Sequence, residues 1–147
     1  MKYHISELLD TEKVQGLLKT FRKITQMTCT LTDPEGVVLK VNGNNLLSSG
    51  WQRVCSDFHK DHPGTFARCI ESDTYLSRQI QEKRKYALYE CHNGLIDCAI
   101  PIYIEGEHVV NLFTGQFFFS PPDIEFFRKQ AMDFGFDEKD YLSAIDE

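Results

Sequence analysis

The residues best equipped for chemistry lie in the middle of the chain, where Cys55, Cys69, Cys91 and Cys98 fall close in sequence to His59, His62 and His92. Thiolate and imidazole together suit zinc and other soft transition metals. On a helix, Cys55 and His59 stand at i and i+4 and project from one face. Cys69 falls in a different predicted helix and Cys91 just after a predicted strand. Convergence of these elements gives Cys55, Cys69, Cys91 and His59 as a candidate metal set for zinc, iron or an iron-sulfur cluster. There is no CxxC pair, and the spacings match no zinc ribbon or ferredoxin pattern, so buried thiols packed as small hydrophobes are the competing reading. A Cys and His pair also raises nucleophilic catalysis. That chemistry needs a cationic neighbour or a helix N-terminus to lower the thiol pKa, and no orienting third group is recognisable. The expectation is a protein that is not an enzyme.

Polar residues inside apolar runs form the second group. Asp97 interrupts the run Leu95, Ile96, Cys98, Ala99, Ile100, and burial would oblige it to find a partner, either a ligand or a turn that it ties down. Within Leu112 to Phe119, Gly115 permits close approach of a ligand or a backbone, and Gln116 can both donate and accept hydrogen bonds. This stretch reads either as a pocket wall or as a bulge at Gly115 with Gln116 on the solvent face. Trp51 would supply an apolar wall, with Asp73, Asp97 and Gln116 as orienting polar contacts to a small ligand. Phosphate-binding glycine loops, paired catalytic carboxylates and Ser/His/Asp arrangements are absent.

The elements that must position these residues can be read from periodicity. Val14, Leu17, Leu18, Phe21 and Ile24 lay one apolar stripe on a helix capped by Asp10. Thr28 to Thr32 and Val37 to Val41 form a hairpin across Asp33-Pro34-Glu35-Gly36. A polar loop, Asn42 to Gly50, leads into a helix from about Trp51 to Asp61, and Pro63 opens another that reaches about Gln81. Strands follow at 86–90, 96–104 and 107–119, the last two joined at Glu105-Gly106. Asp123 starts a helix carrying Phe126, Phe127 and Met132, and a short helix follows Asp137. The fold class is α+β: a five-stranded antiparallel sheet, a helical insert between strands 2 and 3, and flanking terminal helices. A cavity between the sheet and that insert is the natural place for a ligand.

Composition limits the possible partners. The 147 residues fit one domain spanning 1–147, and 41% hydrophobic and 12% aromatic residues provide for an aromatic-rich core. A formal charge of −6 repels phosphate backbones, so nucleic acid is not an expected direct partner. No run of about 18 apolar residues occurs, and Met1-Lys2-Tyr3-His4 lacks the apolar stretch of a signal peptide. The expected location is the cytoplasm, with no membrane partner and with five reduced thiols.

Several strings resemble one family when taken in order. Cys69-Ile70-Glu71-Ser72-Asp73, Tyr89-Glu90-Cys91-His92-Asn93-Gly94-Leu95-Ile96-Asp97, Pro101-Ile102, Gly106-Glu107-His108 and Phe113-Thr114-Gly115-Gln116-Phe117 resemble the PocR sensory domain family. The Leu9-Asp10 helix start, the Thr32-Asp33-Pro34-Glu35-Gly36 turn and Phe134-Gly135-Phe136-Asp137 extend the likeness over nearly the whole chain. The resemblance implies a variant of the PAS-type fold that senses small hydrocarbon derivatives such as propanediol. It also implies an output domain outside this chain, either a histidine kinase, a diguanylate cyclase or a DNA-binding domain; a homodimer is a separate expectation. The family's cysteines match Cys55, Cys69 and Cys91, whereas Cys29 and Cys98 are peculiar to this chain. The resemblance thus supports the metal set, with His59 or His92 as its fourth member.

Overall fold

The computed structural model describes residues 5–41 and 45–147; Asn42 to Asn44 of the expected loop and the first four residues lie outside them. The chain opens with α1 (Ile5–Leu8) and α2 (Thr11–Thr25), followed by β1 (Thr28–Thr32), β2 (Lys40–Val41) and β3 (Asn45–Leu46). A π-helix (Val54–His59) and the long α3 (Pro63–Lys83) form the helical insert. Then come β4 (Ala87–Glu90), β5 (Ile96–Ile104), β6 (Glu107–Phe117), α4 (Ile124–Phe134) and α5 (Glu138–Asp146).

The α+β class and the antiparallel sheet stand, but the strand count is corrected. The main sheet has four strands in the order β1-β6-β5-β4, so the first strand lies beside the last. The Asp33 turn does form, with Asp33 Oδ1 accepting from Val37 N at 2.8 Å. The returning segment, however, bridges β1 only through Val38 opposite Thr32, and β2 pairs with β3 in a separate ribbon. The free edge of β1 is shared, which explains the difference. Leu39 N donates to Leu31 O, while Leu31 N donates to Leu47 O, so two segments each cover part of one edge.

Local chemistry accounts for the remaining elements. Glu105 (φ 51°) and Gly106 (φ 81°) both adopt left-handed backbone, the geometry of a two-residue hairpin turn between long twisted strands. Asp10, Asp123 and Asp137 cap α2, α4 and α5 with their side chains, and His62 does the same for α3. The apolar stripe of α2 is only partly used: Leu18 is buried, whereas Leu17 and Ile24 are 68% and 76% exposed. One core cluster joins Leu18 to Leu31, Leu47, Val109 and Val110, and a second sets Leu76 and Ile80 of α3 against Ala99 of β5. The third packs the π-helix residues Val54 and Phe58 onto Phe127, Tyr141 and Ile145 of the last two helices. Among the described residues no helix is long and apolar enough to cross a membrane.

Candidate functional site

The insert roofs the sheet, and between them lies a partly open cavity of about 110 Å³. The π-helix contributes Cys55 and His59 to its wall, with Trp51 just before it and Lys60 just after. Its wider turn is closed by Lys60 N donating to Cys55 O at 2.9 Å, five residues back. On α3, Cys69 and Asp73 lie four residues apart, so one helix face presents both to the cavity. Cys91 enters from the turn after β4, Asp97 from β5, and Gln116 from β6. The structure therefore brings together the eight residues expected to hold a ligand or a metal, whereas Cys98, His62 and His92 do not line this cavity.

A bulge shapes the sheet side of the cavity. Asp97 pairs with Gly115 and Ile96 with Phe117, which leaves Gln116 as the extra residue, in left-handed conformation (φ 60°). The extra residue is thus Gln116, and it faces the cavity. Its side-chain oxygen accepts from Gln52 N at 2.6 Å, anchoring the segment before the π-helix. Gly115 has no substitute here: a Cβ would overlap Asp97 Oδ1 and lie 2.8 Å from Asp97 Cα and Ile96 O.

Burial and like charge set the titration of the wall. Asp97 is pushed up to about 7, first by burial and then by the nearby Asp73 carboxylate, against the pull of the Gln116 N–H and Lys60. Asp73 is also raised, by burial with Lys60 opposing; it is an exposed residue open to screening, so the Asp97 shift is the firmer of the two. Burial raises all three thiols, Cys55 strongly and Cys91 to about 12, so all three are protonated at neutral pH. His59 is lowered to about 4 by burial and by Arg68, and is therefore neutral.

These facts bear on the metal set. Among the described residues, no three His, Cys, Asp or Glu side chains group closely enough to hold a metal ion. His59 Nε2 turns away to the Tyr141 hydroxyl, 2.7 Å off, and only three thiols line the cavity, where an iron-sulfur cluster takes four. The described arrangement does not fit zinc or a cluster. His92, the other candidate, bonds Tyr89 Oη at 2.8 Å and Glu71 at 3.2 Å on an exposed patch.

Sequence reasoning missed four features of the wall. Thr28, Thr30 and Thr32 line it because alternate residues of β1 share one face, a period-two signal legible in the sequence. Lys60, whose Nζ sits 4.8 Å from the Trp51 ring centroid, is the cationic member. Gly36 lines the cavity, and the buried Ser77 hydroxyl, which has no partner, lies 2.8 Å from where its Cβ would be. The fourth is a buried relay. Gln130 Nε2 donates to Tyr141 Oη at 2.6 Å and to Asn93 O at 3.2 Å, and Asn93 Nδ2 donates to Cys69 Sγ at 3.3 Å. Cavity residues Cys69 and His59 are thereby tied to α4 and α5.

The family model described as the sensory domain found in PocR matches residues 7–147. The chain belongs to this family. Neither the curated proteins nor the solved structures contain a match to it. A PocR sensory domain has a sensory role, and the cavity lies within the matched span. The strings that resembled the family supply the wall at Cys69, Asp73, Cys91, Asp97, Gly115 and Gln116.

Proposed function

We propose that this PocR sensory domain binds a small polar hydrocarbon derivative, such as a short diol or alcohol, in the cavity between the sheet and the helical insert. The observation that carries the reading is the cavity itself, a partly open space with two carboxylates and an amide set among thiols, Leu95, Phe113 and Trp51. An apolar wall with a few convergent polar groups is the composition of a small-molecule site. Size narrows the guest: an engineered cavity of about 150 Å³ accepts benzene, so about 110 Å³ suits some five non-hydrogen atoms. Asp73, Asp97 and Gln116 orient the guest, and Trp51 closes it in.

Transmission runs through the π-helix, which faces the cavity on one side and α5 on the other. A guest that fits one packing of this turn better than another shifts the population of the two, and the last helices follow. An output region outside this chain, a histidine kinase, diguanylate cyclase or DNA-binding domain in the cytoplasm, reads the shift, in a homodimer or otherwise. The first strand beside the last and the insert over one face support the PAS-like description. Catalysis has no place in this reading, because the thiols are protonated and His59 Nε2 is engaged.

The test is a thermal-shift panel of short diols, alcohols, amines and carboxylates. A guest present at a hundred times its Kd stabilises the fold by about 2.7 kcal/mol, a readily measured rise in Tm. A flat response from every compound of this size contradicts the proposal.

A further inference from the structure

Charge narrows the guest beyond its size. Three charged side chains line the cavity: Lys60, Asp73 and Asp97. Among the described residues none of the three joins an ion pair, and the Lys60 ammonium rests over the Trp51 and Phe66 rings, 4.8 and 5.8 Å from their centroids. With both carboxylates ionised the wall is one positive charge short of neutrality. Asp97 accepts a single hydrogen bond, from Gln116 N at 3.3 Å, although a carboxylate offers about four acceptor positions.

We propose that the guest is a small monocation, an alkylamine or amino alcohol of about five non-hydrogen atoms, its ammonium held by Asp73 and Asp97. The inference rests on the reading that the cavity holds a guest, and it names that guest's chemistry. An ammonium supplies the missing charge and donates to both carboxylates in a site where charge-assisted hydrogen bonds are strong. A neutral diol of the same shape leaves the charge uncompensated. A hydroxy acid adds a third negative group.

Three probes of nearly one size separate these cases: 1-amino-2-propanol, 1,2-propanediol and lactate, titrated calorimetrically into the whole domain near pH 8. The expected result is that the amino alcohol binds at least tenfold more tightly than the diol, and lactate more weakly than either. Asp97→Asn should abolish the preference, read as the ratio of amino alcohol to diol affinity within the same variant, and Asp73→Asn, at an exposed position, provides the same test should the first variant fail to fold. Equal or tighter binding of the diol overturns the monocation and leaves the sensor reading standing. Failure of all three probes overturns the monocation too, and the wider thermal-shift panel then decides the sensor reading.

Discussion

His59 Nε2 lies 2.7 Å from the hydroxyl of Tyr141, so a residue on the cavity wall is hydrogen bonded to the last helix through the interior. Both residues are buried, at 1% and 0% exposure, and Gln130 completes the contact by donating to the same hydroxyl. Tyr141→Phe keeps the ring against Phe58 and Phe136 and removes only the junction. We expect a loss of about 1–3 kcal/mol in urea unfolding, since two buried partners lose a bond. Guest binding should persist while the guest-induced change in amide exchange along α5 disappears. An unchanged response in α5 would show that the signal takes another path.

Gly115 and Gly16 should respond in opposite directions to the same substitution. Gly115→Ala drives a methyl group into Asp97 and the Ile96 carbonyl, so we expect a loss of about 1–3 kcal/mol and weakened guest binding. Gly16 lies within α2 with nothing within 4 Å of an added Cβ, and Gly16→Ala should stabilise the domain by about 0.5–1 kcal/mol. Equilibrium unfolding of the two variants checks both signs.

The contrast between these glycines shows what sequence could reveal. Glu105-Gly106, the Asp caps and Pro63 were legible because each acts within a few residues of itself. Gathering Trp51, Cys55, His59, Cys69, Asp73, Cys91, Asp97 and Gln116 required that polar residues interrupting apolar runs share one interior, and all eight line the same cavity. What escaped was long-range or competitive. The edge of β1 went to two short segments because Leu47 and Leu39 divide the bonds of Leu31. Cys55 and His59 stand in a π-turn, and His59 was drawn to Tyr141, a partner 82 residues away that no local spacing announces.

Stability against pH should reveal two buried groups that cancel. His59 titrates at about 4 in the fold against an ordinary 6.5, so in that window the unfolded chain binds more protons and stability rises with pH. Asp97 titrates at about 7 against an ordinary 3.8, so the fold binds more protons and stability falls as pH rises through the window. The raised Asp73 acts in the same sense as Asp97. The parent protein should therefore show a shallow profile between about 4 and 6.5. Asp97→Asn should steepen the rise with pH, and His59→Gln should expose the fall. Parallel profiles for all three proteins would refute the assignment.

Thiol reactivity tests the absence of an activated nucleophile. Burial raises Cys55, Cys69 and Cys91, so iodoacetamide should label them in the native state near pH 7.5 far more slowly than in the unfolded chain. A bound guest should slow labelling further, because all three line its cavity. Rapid labelling of any one would point to thiol chemistry.

The most direct test of an occupied cavity uses its own reporter. Trp51 is the one tryptophan in the chain, and it lines the cavity beside Lys60. Titration with 1-amino-2-propanol and with short diols should change its fluorescence in a saturable way, and the change should weaken in Asp97→Asn. A signal that drifts linearly with every compound, identically in parent and variant, would contradict the account.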